Sequence, residues 1–287
     1  MANIAVIGLC GMSLFMRVPH FPVPGETLEA ASMINETGGK GFNQAIAAAR
    51  VGASVSYLGA IGDDAEGEVC KNVMAKEGID ATFVRNEGKR TAFAAILVDD
   101  KGENQVIEHL GAELTEQDVY AFEEKIKSCD ILLLQHEVPV EVNAAAIRIA
   151  EKYGKRVILN PAPARAFPDE LKHLIFAVTP NETEAKAINA SDFANCIGTL
   201  GSKGCSVNGT LIPSIAVKAV DTTGAGDTFN GVFTAKYAET GDMVLSAHWA
   251  VAASGLSVSK PHVLNAIPQN DEIIAALKEN GREEFVC

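Results

Sequence analysis

Short apolar runs alternate with stretches of helical pattern along most of the chain. The runs Ile4–Ile7, Val55–Leu58, Ile131–Leu134, Val157–Leu159 and Phe176–Thr179 predict strands. Between them, Asn43–Val51, Gly67–Glu77, Val140–Tyr153 and Thr228–Glu239 predict helices. Such alternation predicts an α/β fold in which helices flank a mostly parallel sheet. Ligands of such folds gather at the carboxyl ends of the strands, where loops lead into helix N-termini.

Two stretches break this rhythm. Residues 12–35 carry Pro19, Pro22, Pro24 and Gly25 and predict extended segments joined by turns. Residues 91–109 read as a strand, the turn Asp99-Asp100-Lys101-Gly102 and a second strand. Paired together, the two insertions would form a small accessory sheet; a lid over a cleft and a plain surface excursion are both open on pattern alone. Internal repeats, low-complexity tracts and long linkers are absent from the sequence.

Composition narrows the field. A chain of 287 residues that is 47% hydrophobic and 21% charged supports a sizeable core, as one large α/β domain or two small ones. A net charge of -13 argues against a nucleic-acid or anionic-membrane partner. No secretory signal precedes the first strand, and no apolar run reaches about 18 residues, so no membrane span is expected. Cys10, Cys70, Cys129, Cys196, Cys205 and Cys287 are scattered without a CxxC pair, which suits reduced thiols in a cytoplasm.

The most informative segment is Asp221-Thr222-Thr223-Gly224-Ala225-Gly226-Asp227, placed just before a predicted helix. Its small residues leave backbone N–H groups bare at the positive end of the helix dipole, an arrangement suited to a phosphoryl group. Asp227 stands where a carboxylate accepts the proton of an attacking hydroxyl; as an alternative, it merely caps the helix. The spacing fits neither GxGxxG nor the P-loop. A second glycine-rich segment, Gly38-Gly39-Lys40-Gly41-Phe42-Asn43, opens another helix with bare N–H groups, an amide and a lysine. Together the two turns offer polar helix N-termini for two substrates.

These residues resemble the ribokinase-like (PfkB) carbohydrate kinases, and most closely the ribokinase branch of that family. GGKGFNQAIAAARVGASV with IGDDAEG is similar to the family's first signature and DTTGAGDTFNG to its second. NPAPAR at 160–165, TPNETE at 179–184, LGSKG at 200–204 and FPVPGET at 21–27 occur in the family's order. The resemblance implies one kinase domain over residues 1–287, with a three-layer α/β/α core and a β-sheet lid built from residues 12–35 and 91–109. It implies ATP, Mg²⁺ and transfer of the γ-phosphoryl to a primary hydroxyl of a small sugar, ribose or a related pentose or ketohexose.

By resemblance Asp227 is the base, and Gly224, Ala225 and Gly226 form the anion hole. Gly38, Gly39, Lys40, Asn43 and Glu137 join positions 11 and 13 around the sugar. Asn181, Ser202, Gly204, Thr222 and Gly226 lie by ATP. Asn181 and Glu184 organise Mg²⁺, Glu184 through water, although a plain helix-entry cap explains the same pair. Asp221 and Thr223 are candidate K⁺ ligands. A homodimer through the lid is also implied. A nucleoside kinase on the same fold and a non-catalytic sugar or nucleotide sensor are the alternatives.

Three departures stand out. The ribokinase branch carries an Asn and an Asp where this chain has Gly11 and Ser13, which weakens the case for ribose. Only Ala185–Thr199 connects the NETE and LGSKG segments, where the family has a full helix and linker. His262 and Ala266 replace a glycine and a serine of the family's cation loop.

Overall fold

A computed structural model describes residues 1–286 of the chain. In chain order the first strands are β1 (Asn3–Ile7), β2 (Gly11–Arg17), β3 (Ser32–Gly38), β4 (Ser54–Gly62), β5 (Asp80–Asn86), β6 (Ala92–Val98) and β7 (Asn104–His109). They are followed by β8 (Ile131–Gln135), β9 (Arg156–Asn160), β10 (Ala177–Val178), β11 (Ile197–Thr199), β12 (Cys205–Val207) and β13 (Thr210–Ile212). The helices are α1 (Lys40–Arg50), α2 (Ala65–Lys76), α3 (Glu116–Ala121), α4 (Glu123–Ser128) and α5 (Val140–Lys152). After them come α6 (Asp169–Lys172), α7 (Glu182–Ile188), α8 (Ala225–Thr240), α9 (Met243–Val258) and α10 (Asn270–Glu279).

The central sheet has the order β10-β9-β8-β1-β4-β5, and every pairing in it is parallel. Parallel strands need crossover helices, which cover both faces and bury both sides of each strand. β1 makes the consequence visible. Ile4 and Val6 join the core under α1, α8 and α9, whereas Ala5 and Ile7 join the opposite core under α4 and α5. The result is three layers, with the glycine turns at one end of the sheet.

The two sequence insertions form a four-stranded sheet of order β3-β2-β6-β7. β2 pairs β3 antiparallel and β6 parallel, and β6 pairs β7 antiparallel. The turn between β6 and β7 is closed by Asp99, whose carboxylate accepts from the backbone N–H of Lys101 and Glu103. Its inner residues line the cleft described below, so this sheet is a lid rather than a plain excursion.

Several boundaries differ from expectation; β4, for one, runs four residues past Leu58 to Gly62. α1 begins at Lys40 and α8 at Ala225, each three residues before the predicted start. Glycines hide these first turns from a pattern search, because they have low helix propensity and no side chain to set a periodicity. The strand expected over Phe176–Thr179 contracts to Ala177–Val178 at the edge of the sheet. The short connection after α7 closes through left-handed Asn189 into β11, which opens a small antiparallel sheet with β12 and β13. Cys10, Cys70, Cys129, Cys196 and Cys205 are free thiols, and Cys287 lies outside the described residues. No described helix is long and apolar enough to cross a membrane.

Candidate active site

Gly224 caps α8 with φ +73°, in the left-handed region, and a Cβ there would lie 2.5 Å from Val263 Cγ1. Only glycine meets both demands without strain. No side chain caps α8: the Ala225 N–H donates to the Thr222 carbonyl oxygen at 3.3 Å, while those of Gly226 and Asp227 stay open. Asp227 stands at the third helical position but does not bond back to its own helix. Instead, Asn43 Nδ2 donates to Asp227 Oδ2 at 3.0 Å and Gln44 Nε2 donates to Oδ1 at 3.1 Å. The capping explanation of Asp227 is thereby displaced. The carboxyl is 8% exposed, and burial pushes its pKa up against the opposing pull of Lys40, Asn43 and Gln44.

α1 opens in the same way. Gly39 has φ +105°, and a Cβ there would lie 2.3 Å from the Leu9 carbonyl oxygen. The backbone N–H of Lys40 donates to Glu137 Oε2 at 2.6 Å, which ties α1 to the segment after β8. Burial lifts the Glu137 carboxyl to about 7, with Lys40 opposing and Asp227 adding to the rise. The Lys40 ammonium is held above its ordinary pKa, chiefly by Asp227. Gly11, Ser13, Gly38, Gly39, Lys40, Asn43, Glu137 and Asp227 all line one cleft of about 230 Å³ beneath the lid. Within it, Asn43 Oδ1 and Thr37 Oγ1 are buried without a partner. Both are free to bond a ligand.

A second cavity, of about 610 Å³, lies on the other side of the Asp221–Asp227 turn. Asn181, Ser202, Gly204, Thr222, Ala225 and Gly226 supply its polar wall, and Ile215, Val217, Phe229 and Val258 an apolar one. Thr223, Gly224 and Asp227 face the first cleft, whereas Thr222, Ala225 and Gly226 face the second. The start of α8 is thus the partition between two binding spaces. The apolar wall suits a nucleobase and the bare turn its phosphates.

The candidate metal residues are less tightly grouped. Asn181 and Glu184 form a reciprocal capping box at α7: Asn181 Oδ1 accepts from Glu184 N, and Glu184 Oε2 accepts from Asn181 N, each at 2.9 Å. Asn181 Nδ2 also donates to Glu184 Oε1 at 2.8 Å. The plain helix-entry explanation is therefore realised in the structure. Glu184 lines neither cavity, yet it is 8% exposed, and burial raises its pKa. A carboxylate occupied in this way fits a hydrated Mg²⁺ held through water better than one bound directly. Among the described residues, no three His, Cys, Asp or Glu side chains converge as metal ligands. Asp221 accepts from the N–H of Thr223 at 2.9 Å and of His262 at 3.3 Å, and with Thr223 it lines a cavity beside the lid.

Sequence reasoning missed Gln44. It is fully buried, takes Gln135 Nε2 on its Oε1 at 2.8 Å, and donates to Asn160 Oδ1 at 3.0 Å as well as to Asp227. Its signal was a glutamine next to Asn43 in an alanine-rich helix. His136 is stacked on Phe167, and burial first, then Arg165, lower its pKa to about 4, so it is uncharged at neutral pH.

Two glycine-led helix N-termini, a buried carboxylate between two cavities and a covering sheet fit a phosphotransferase of the α/β class. The model of the pfkB family carbohydrate kinases matches residues 1–270, and the chain belongs to that family. It is an ATP-dependent sugar kinase, and the family's general requirement is ATP with a divalent metal. The ribokinase of Haemophilus influenzae is 37% identical over 301 residues, covering 96% of this chain and 98% of that protein. The solved ribokinase of Thermotoga maritima superposes with a TM-score of 0.84 at 30% identity, covering 97% of this chain and 100% of that one. Arabidopsis thaliana ribokinase, solved with ribose and ATP, gives 0.86 at 26% identity, covering 97% and 99%.

Proposed function

We propose that the chain transfers the γ-phosphoryl group of ATP to the primary hydroxyl of a small pentose or ketohexose, with Asp227 as general base. The observation that carries this reading is the position of Asp227, held by Asn43 and Gln44 at the partition between the two cavities. ATP occupies the larger cavity, with Asn181, Ser202, Gly204, Thr222 and Gly226 along its phosphates. The sugar lies in the smaller cleft against Gly11, Ser13, Gly38, Gly39, Lys40, Asn43 and Glu137.

Asp227 takes the proton of the attacking hydroxyl, and Lys40 holds positive charge beside it. The open N–H groups at Gly224 and Gly226, joined by that of Ala225 on release from the Thr222 carbonyl, face the charge that develops on the transferred group. Mg²⁺, held through water near Asn181 and Glu184, neutralises phosphate charge when bound. K⁺ belongs beside Asp221 and Thr223. Residues 1–287 act as one kinase domain with lid segments 12–35 and 91–109, as a cytoplasmic homodimer joined through the lid.

A cleft of about 230 Å³ favours a small sugar over a nucleoside, since it lies below the range that houses drug-sized ligands. ADP release measured across pentoses, ketohexoses and nucleosides tests this assignment. Turnover is expected with a pentose or ketohexose and to be at least tenfold weaker with nucleosides. Turnover confined to nucleosides, or absent throughout, would contradict it.

A further inference from the structure

The register of the lid places one polar row across its inner face. Ser13 pairs with Glu36 and with Ala94, and Ala94 pairs with Glu108, so all four side chains project on one side. All four line the acceptor cleft. The next row of that face, Ile34, Phe15, Ile96 and Val106, is apolar. On this face the polar side chains that line the cleft are therefore those of the Glu36–Glu108 row; Thr37 and His109 of the same strands also line it.

Within that row the two carboxylates are not equivalent. Glu36 is occupied: Val263 N donates to its Oε2 at 3.0 Å, and His262 Nδ1 lies 3.3 Å from Oε1. Glu108, exposed on β7 at the rim of the cleft, makes no side-chain hydrogen bond or ion pair with any described residue, though its charge reaches both Lys40 and Glu137. Buried polar atoms on the floor of the same cleft also await a ligand: Asn43 Oδ1 and Thr37 Oγ1 lack partners, and their residues are 6% and 5% exposed. Four carboxylates, of Glu36, Glu108, Glu137 and Asp227, face the single ammonium of Lys40.

We propose that Glu108 is a specificity-determining residue that accepts a hydrogen bond from a hydroxyl or amino group of a non-anionic acceptor. Resting on the sugar-kinase reading above, this inference gives position 108 the carboxylate contact that Ser13 is too short and uncharged to make. A phosphorylated acceptor would carry further negative charge into a cleft that already holds an excess of it, and so is excluded.

Binding of D-ribose, D-fructose, 1-amino-1-deoxy-D-fructose and D-fructose 6-phosphate to the wild type, Glu108→Ala and Glu108→Gln is measured by calorimetry without nucleotide. ADP release is followed separately. The wild type should bind its best unphosphorylated acceptor at least tenfold more tightly than the 6-phosphate. Glu108→Ala should weaken that binding about tenfold or more, the scale of a lost hydrogen bond to a charged group. It should raise the acceptor KM by more than it lowers kcat, without a matching rise in the KM for ATP. Glu108→Gln should recover part of the binding of a neutral sugar but not that of the amino sugar.

Affinities within twofold of wild type for Glu108→Ala on every acceptor would overturn the proposal, as would preference for the 6-phosphate or no acceptor binding at all. Acceptor binding with the expected Glu108 dependence but no ADP release would contradict the kinase assignment while supporting the role of Glu108.

Discussion

Gln44 Nε2 donates to Asp227 Oδ1 across 3.1 Å, joining residues 183 positions apart in the sequence. The same amide group also bonds Asn160 and Gln135, so the orientation of the Asp227 carboxylate is fixed by a buried network spanning four elements. Substituting Gln44→Leu removes the donor to Asp227 and leaves Gln135 and Asn160 short of partners. We expect kcat to fall about tenfold or more and stability to fall by about 1–3 kcal/mol. Steady-state kinetics and thermal melting check both. If Gln44→Leu kept full kcat, the network would not be what orients Asp227.

Glu137 sets a pH dependence. Its folded pKa is about 7 against an ordinary 4.5, so the folded chain holds this proton over a window in which the unfolded chain has lost it. Stability is therefore lost as pH rises from 4.5 towards 7, by up to about 3 kcal/mol at roughly 1.4 kcal/mol per unit. Glu137→Gln should remove this loss, so its melting temperature gains on the wild type as pH increases. The same titration places an acid limb near pH 7 in wild-type kcat/KM, because the ionised carboxylate is the one that accepts from the acceptor's hydroxyl. An unmoved limb in Glu137→Gln would assign it to another group.

The two glycines at the start of α8 should separate stability from turnover. Gly224→Ala forces a Cβ into the left-handed region, 2.5 Å from Val263 Cγ1, and should cost about 1–3 kcal/mol. At Gly226 a Cβ meets nothing within 4 Å, so Gly226→Ala should melt no lower than the wild type. Because Gly226 lines the cavity proposed for ATP, its substitution should instead raise the KM for ATP. Melting curves and ATP kinetics on the two variants decide this. Equal destabilisation by both would contradict the assigned packing.

Much of this was legible in the sequence. The apolar runs that became β1, β4, β8 and β9 are buried on both faces, so burial itself writes them into the chain. The lid strands were visible as extended segments, but their role was not. Strand β2 pairs with β6 between residues as far apart as Gly11 and Ala92, and no local pattern reports such a pairing. The turn at Asp221–Asp227 announced an anion site through its small residues. What held Asp227 was hidden, because Gln44 and Asn43 reach it only in three dimensions. Glu36 was hidden for the same reason, since it ties lid strand β3 to Val263, the residue packed on Gly224. Asn181 and Glu184 show the converse: the sequence offered both a cap and a metal role, and the cap is what their side chains form.

The central claim is that Asp227 takes the proton from the attacking hydroxyl. Its most direct test is kcat for ADP release by Asp227→Asn at saturating acceptor, alongside the Kd for ATP. We predict that kcat falls by about 10²–10⁴-fold, the usual cost of losing a positioned general base, while ATP binding stays within a few-fold of wild type. Turnover by Asp227→Asn within tenfold of the wild type would contradict the account.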